Sequence, residues 1–314
     1  MTTAQSPGKM ILAGEHAILA GCPAITMATT PLVTCTCEPT SSDKISLQLP
    51  GQEPLHYTPK DVLQRDEGLT KRHAQGLAPK CPEDVLLSAV ARHSSNWTGS
   101  ITFTTDLPIG SGMGASAAFL LSLLKALNPS FSTQDLYAHA LELEHLQHGT
   151  SSGIDVWTSL QGGLWWIERQ ERAAIQVPEL PDFRIVHTGI PQATTGECVN
   201  QVKKNFPTGH ALWKEFSRIL HDTRSAIEAG DSETWSETIR ENHRLLCEIG
   251  VVPKAIQHEI SKIEAQGGSA KICGAGSISG DQAGIVLVRD IDGDAIPEHW
   301  SDIEAKFCTV GTSS

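Results

Sequence analysis

Pro108-Ile109-Gly110-Ser111-Gly112-Met113-Gly114-Ala115-Ser116-Ala117-Ala118 is the stretch on which the fold turns. Three alternate glycines permit positive φ and let a ligand approach the backbone closely. Small residues then open a run, Ala115 to Leu127, that is apolar on nearly every side and reads as a buried helix. The free amides and dipole at the start of such a helix favour an anion. No Gly-Lys-Ser or Gly-Lys-Thr follows the glycines, so this is not a Walker A loop. Taken alone, the segment reads as well as a glycine-rich turn before a helix as it does as a phosphate cradle.

Moving toward the C-terminus, a second helix begins near Ser132, with Asp135 three residues on in a capping-box-like arrangement, and ends at Gly149. On a helical wheel of about 100° per residue with Leu136 at the origin, Tyr137, Ala140, Leu141 and Leu143 form an apolar sector. Glu144 falls inside that sector, whereas Glu142 points away. A carboxylate on a buried face is costly unless it is paired or binds a metal, and both readings stay open here. His145 lies about 180° from Leu136 and is expected to face solvent. Asp155 follows in Ser151-Ser152-Gly153-Ile154-Asp155, a turn in which an aspartate ordinarily acts as a cap.

Toward the N-terminus, Pro7-Gly8-Lys9-Met10-Ile11-Leu12-Ala13-Gly14-Glu15-His16 places a lysine at the start of an apolar strand and a Glu-His pair at its glycine end. Alternation puts Lys9, Ile11 and Ala13 on one face, with Lys9 directed at a cleft or at solvent. Near the other end, Lys271-Ile272-Cys273-Gly274-Ala275-Gly276-Ser277 is a second passage from strand to glycine turn.

The remaining sequence fills in around these four segments. Strand-like runs cover Ala24–Ala28, Ile45–Leu49, Gly99–Thr104, Gly163–Ile167, Phe183–Thr188, Ala270–Cys273 and Ala283–Val288. Helical stretches cover His210–Ala229, Glu233–Ile249 and Pro253–Gln266, and a last short helix is expected beyond residue 288. Strands and helices mix without regular alternation, which predicts an α+β fold rather than a doubly wound sheet. Polar, proline-containing sequence at 170–182 marks a boundary, dividing the chain into domains 1–175 and 176–314.

Composition excludes several function classes. A formal charge of −12 lacks the basic footprint of a nucleic-acid binder, so any phosphate site must be built locally. No apolar run reaches the eighteen residues needed to span a membrane, and residues 1–10 contain no apolar leader segment. The eight cysteines show no metal-binding spacing, and Cys35 and Cys37 share one face of a strand as small core or surface residues. Free thiols without a leader point to a cytoplasmic chain.

In order and spacing, Pro7–Gly14, Pro108–Ala118 and Lys271–Gly276 resemble the three signature motifs of the GHMP kinases. Within that superfamily, Gly14-Glu15-His16-Ala17 followed by Gly21-x-Pro23-Ala24 resembles the mevalonate kinase branch. So do Glu144-x-x-x-His148-Gly149-x-x-Ser152-Gly153-x-Asp155, Thr188-Gly189-Ile190-Pro191-x-x-Thr194 and Asn242-x-x-Leu245-Leu246-x-x-Ile249-Gly250-Val251. The resemblance extends from residue 7 to about residue 288. It implies an N-terminal domain like the second domain of ribosomal protein S5, a ferredoxin-like C-terminal domain, and a cleft between them in which ATP meets a small hydroxyl-bearing acceptor.

The resemblance also implies roles. Pro108, Gly110, Ser111, Gly112, Met113, Gly114, Ala115, Ser116 and Ala117 would wrap the ATP phosphates, and Ser116 with Glu144 would hold Mg2+. Asp155 would take the acceptor's proton, and Lys9 would support Asp155 and the developing alkoxide. Glu15, His16, Thr194, Gly274 and Ala275 would contact the acceptor or orient the site. A homodimer is compatible with this family; nucleic acid and membrane are not expected partners. Three departures stand out. Ala115 replaces a serine, removing a phosphate hydrogen bond worth roughly 1–3 kcal/mol. Ser277-Ile278-Ser279 stands where glycines are common, and Gln192-Ala193 where an Arg-Ser pair is common, with Thr195 in place of a lysine. The alternatives are phosphomevalonate kinase or another GHMP kinase, diphosphomevalonate decarboxylase, whose branch lacks the motif-one lysine, and a non-catalytic binding protein of the same fold.

Overall fold

The structure, a computed structural model, describes residues 1–149, 151–169, 171–177, 180–291 and 296–308. Two sheets organise it. The first is built on β2 (Ala24–Pro39), which pairs antiparallel with β1 (Thr2–Ala13) along nearly its whole length. β2 also carries β5 (Gly99–Thr105) against residues 33–39 and β6 (Leu164–Glu168) against residues 24–27. β3 (Ile45–Gln48) pairs parallel with β5, β4 (Leu55–Tyr57) extends that edge, and β7 (Glu171–Ala174) pairs with β6.

The gap on β2 between β5 and β6 is filled from the far end of the chain. Thr30 N–H donates to the Lys306 carbonyl (3.0 Å), Cys308 N–H donates to Ala28 (3.0 Å), and Gly163 N–H donates to Cys308 (2.7 Å). The second sheet, antiparallel throughout, has the order β11-β8-β10-β9, with β8 at Arg184–His187, β9 at Ser269–Cys273, β10 at Ile285–Arg289 and β11 at Ser301–Ile303. The fold is thus α+β, with one mixed and one antiparallel sheet, and the sequence predicts the α+β class. The boundary segment 170–182 holds β7, while residues 170, 178 and 179 lie outside the described residues.

Helices cover both sheets. α3 (Ala115–Leu127) lies on β1 and β2 and is buried at nine of its positions, which is why its sequence shows no polar face. α4 (Thr133–His148) packs beside it and starts with a full capping box: Ser132 Oγ accepts the Asp135 N–H, and the Asp135 carboxylate accepts the Ser132 N–H. α7 (Leu212–Ala229), α8 (Ser232–Glu248) and α9 (Lys254–Ala265) accompany the second sheet, with α8 and α9 against β9. One apolar core lies among α1 (Pro59–Ala74), α2 (Glu83–His93), α3 and α4. A larger one joins Met10, Leu12, Ile25 and Trp166 of the first sheet to Phe216, Trp235 and Ile285 of the second half. Apolar burial therefore ties β1 to the C-terminal elements, at about 1.5–3 kcal/mol for each large side chain removed from water.

The structure departs from the sequence reading in four helices and at one end. α1 buries only Val62 and Leu69, too thin a stripe to reveal itself, and α2 is buried at eight consecutive positions, so it has no periodicity to show. α5 (Ile154–Gln161) begins where the sequence reads as a turn, and α6 (Thr195–Asn205) begins where it reads as an acceptor contact. The short helix expected beyond residue 288 is not found: the described residues there carry β11, and residues 292–295 and 309–314 lie outside the description. Cys35 and Cys37 face the core together. Among the described residues, no helix is long and apolar enough to cross a membrane.

Candidate active site

β1 supplies the first side chain. Two register shifts, between Pro7 and Gly8 and between Ile11 and Ala13, bracket Lys9 and break the simple alternation expected of the strand. Lys9 N–H donates to the Met113 carbonyl (2.9 Å), docking the glycine loop directly on the strand. Gly114 at that junction has φ of 68°, and a Cβ there would fall 2.7 Å from Lys9 Cγ, so the loop requires glycine for both backbone and space. The ammonium of Lys9 reaches Asp155 Oδ1 at 2.9 Å. Asp155 sits in the first turn of α5, which Gly153 opens in the left-handed conformation. The lysine side chain is 5% exposed and the aspartate 36%, so the carboxylate is the member of the pair open to a ligand.

Glu144 lies on the buried face of α4, 2% exposed, as the wheel predicts. Burial, and then the nearby charge of Asp155, push its carboxyl up to about 7. Its partner is one that sequence reasoning missed. Ser151 Oγ donates to Glu144 Oε2 and accepts the Gly153 N–H (3.0 Å), while Ser151 N–H donates to His145 Nδ1 (3.0 Å). His145 is therefore half-buried and engaged, not turned to solvent as the wheel alone indicates. One serine ties the Glu144 carboxylate to the first turn of the Asp155 helix.

Ser116, in the first turn of α3, donates to Gln147 Oε1 (2.5 Å) from the adjacent turn of α4. Ser116 and Glu144 together offer oxygen donors only, which fits a hard divalent cation such as Mg2+. No group of three His, Cys, Asp or Glu ligands forms among the described residues, so a cation held here would draw its remaining oxygens from phosphate or water, as Mg2+ does with nucleotides.

Motif one ends in an arrangement the sequence does not foretell. Glu15, 1% exposed, pairs through Oε1 with the ammonium of Lys271 at 2.5 Å, and Lys271 is itself fully buried on β9. Burial pushes the Glu15 carboxyl up against the pull of Lys271. His16 Nε2 lies 2.9 Å from the Ala275 carbonyl, and burial lowers the imidazole's pKa. Glu15 and His16 are thus buried and fasten motif one to motif three, and His16 also lines a cavity of about 250 Å³ with Leu19, Lys203 and Trp213. Thr194 is exposed and caps α6, accepting the Glu197 N–H and donating to the Glu197 carboxylate (2.8 Å).

Another cavity, of about 220 Å³, joins the three loops. Gly110, Ser111 and Gly112 line one side, Pro191, Ala193 and Thr194 the second, and Cys273, Ala275 and Gly276 the third. Gly284 lies so close to the glycine loop that a Cβ there would meet the Ser111 carbonyl at 2.7 Å. Of the residues singled out from sequence, the structure brings Gly110–Gly112, Thr194 and Ala275 to this cavity. Lys9, Asp155, Ser116 and Glu144 gather around the start of α3 and α5. Met113 and Ala117 are buried beneath the loop, and Pro108 is half-buried at its entry.

Residues 84–163 match the model of the GHMP kinases N-terminal domain. A mevalonate kinase of Archaeoglobus fulgidus is 30% identical over 284 residues, covering 87% of this chain and 88% of the relative. The solved mevalonate kinase of Methanococcus jannaschii superposes with a TM-score of 0.80 at 20% identity, covering 97% of this chain and 98% of that one. The mevalonate kinase of L. major, solved with R-mevalonate, superposes with a TM-score of 0.70 at 22% identity, covering 94% and 89%. Sequence relationship and fold agree along nearly the whole length, and the chain belongs to the mevalonate kinase family of the GHMP kinases.

Proposed function

We propose that this chain transfers the γ-phosphoryl group of ATP to the primary hydroxyl of mevalonate. The observation that carries the reading is the Lys9–Asp155 pair, 2.9 Å apart, beside a glycine loop that opens a buried helix. In the proposed reaction the acceptor oxygen forms a bond to the γ-phosphorus, the bond from that phosphorus to the β–γ bridging oxygen breaks, and the acceptor's proton passes to Asp155. Lys9 orients the carboxylate and offsets negative charge as it builds on the oxygen. The amides of Gly110–Ser116 receive the phosphate chain. Ser116 and Glu144 would hold Mg2+, which when bound would neutralise phosphate charge. Phosphoryl transfer depends on positioning and electrostatics more than on covalent chemistry, so this set suffices.

The lining of the cavity that joins the three loops offers nothing to fix the further anionic group that a phosphorylated acceptor would carry. None of its residues is Lys or Arg, whereas an added phosphate calls for fixed cations. Lys9 speaks against the decarboxylase branch, and its pairing with an accessible Asp155 speaks against a non-catalytic protein. A coupled ADP-release assay with ATP and Mg2+ tests the proposal, offering mevalonate, phosphomevalonate, galactose and homoserine in parallel. Turnover of mevalonate alone, lost in Asp155→Asn, is the expected result. Turnover of phosphomevalonate in its place would overturn the substrate assignment.

A further inference from the structure

The two features in which this chain departs from its family near the cleft, Gln192-Ala193 and Ser277-Ile278-Ser279, meet each other in space. Ser277 is 1% exposed. Its hydroxyl accepts the Ala193 N–H (3.2 Å) and donates to the Ser279 carbonyl (2.7 Å), and its own N–H donates to the Val251 carbonyl (2.9 Å). The neighbouring Gly280 is packed under Gln192, so closely that a Cβ there would lie 2.6 Å from Gln192 Cδ.

These contacts belong to a longer seam between residues 188–194 and the loop joining β9 to β10. Thr188 N–H donates to the Gly284 carbonyl (2.8 Å), Gly284 N–H donates to the Gly189 carbonyl (3.2 Å), and Ala283 N–H donates to Thr188 Oγ1 (2.9 Å). At the far end, the Cys198 thiol faces the Gly276 carbonyl at 3.8 Å. Among the described residues the middle of the seam has no such backbone pairing, and there the Ser277 hydroxyl makes the link. Pro191, Ala193 and Thr194, the residues it holds, form one wall of the cavity, with Ala275 and Gly276 opposite.

We propose that Ser277 is a positioning residue that pins the Ala193–Thr194 wall to the motif-three loop and so sets the acceptor side of the cleft. Where cations are missing from this wall, selectivity comes from a neutral surface held at fixed width. The hydroxyl acts through the Ala193 amide and touches no substrate. The acceptor-side assignment rests on the proposed mevalonate reaction; the clamp itself does not.

The test uses the full chain with Ser277→Ala, read by steady-state kinetics and by hydrogen–deuterium exchange of the segment containing the Ala193 amide. The expected result is an acceptor KM raised about five- to tenfold, the loss of one buried hydrogen bond, with kcat and the ATP KM within about twofold. Exchange at Ala193 should accelerate at least about tenfold in the same variant. Gln192→Ala, at an exposed position, should shift the acceptor KM in the same direction by a smaller factor, and serves if Ser277→Ala does not fold. A fall in thermal stability with both KM values unchanged would reduce Ser277 to a packing residue and overturn the proposal, as would unchanged exchange at Ala193. If the wild-type chain turns over no mevalonate, the reaction assignment fails by itself, and the exchange rate still decides the clamp.

Discussion

Lys9 Nζ rests 2.9 Å from Asp155 Oδ1, and the lysine is sealed while the aspartate opens to the cleft. In the proposed reaction this asymmetry divides the work. A buried ammonium has nowhere to go and serves as a fixed charge, whereas a carboxylate one-third exposed can take a proton from a bound hydroxyl. Asp155→Asn removes the proposed base while keeping shape, and should lower kcat about 10³-fold with the ATP KM within about twofold. Initial rates across an ATP series at saturating mevalonate measure both; a loss of less than tenfold would show that another group accepts the proton.

The Glu144 carboxyl is pushed up to about 7, so the Mg2+ role proposed for it would couple cation binding to pH. A divalent ion requires the carboxylate, so below pH 7 it must displace a proton. Affinity for the Mg2+–nucleotide complex should therefore rise from pH 6 to pH 8 and level off above that. Titration calorimetry in buffers of different ionisation enthalpy reads both affinity and proton release. Glu144→Gln should abolish the pH slope together with most of the Mg2+ dependence, and Ser151→Ala should weaken cation binding without removing it.

Glu15 and Lys271 form an ion pair with both side chains at 1% exposure or less. Removing one partner leaves the other buried and uncompensated, at a cost of about 3–5 kcal/mol. Lys271→Met should show that loss in chemical denaturation. Glu15→Gln with Lys271→Met together should recover a large part of it, because no lone charge remains. Additive losses in the double variant would mean that the two side chains contribute independently.

His243 gives a second pH effect of known sign. Burial, and then the charge of Lys271, hold its imidazole down at about 4. The ordinary value is 6.5, so the native state binds fewer protons than the unfolded chain below that pH. Stability present above pH 6.5 is lost as pH falls through 4, by up to about 3 kcal/mol from this one group. Urea midpoints for the wild type and His243→Gln should converge with falling pH across this window. Parallel curves would rule out the titration.

How far the sequence discloses the structure depends on where each residue's partner lies. α3 and α4 are legible because their signals are local: glycines before Ala115, and the Ser132–Asp135 box before Thr133. Glu144 is legible because a charge on an apolar face breaks a pattern one helix long. α6 has the same kind of local signal in Thr194 and Glu197, but family resemblance assigns Thr194 to the acceptor and masks its capping role. Ser151 is reached only through the folded turn, since nothing in Ser151-Ser152 marks the first serine as the carboxylate's partner. Lys271 and Glu15 are 256 residues apart, and no periodicity connects them. Ser277 reads as a departure from the family's glycines, yet its partner, the Ala193 amide, has no side-chain signature at all.

The segment that closes the gap on β2 comes from residues 306–308, almost the full length of the chain away from the strand it completes. During synthesis the first half must therefore wait. β1, β2, β5 and β6 can assemble as they leave the ribosome, but the amide of Thr30 and the carbonyl of Ala28 lack these hydrogen-bond partners until residues 306–308 have emerged. Loop closure over such a distance is slow, and an unpaired strand edge is adhesive in the meantime. Chains stopped short of residue 306 would have both sheets and every proposed catalytic side chain, yet expose that edge permanently. Their characteristic failure would be self-association rather than loss of chemistry.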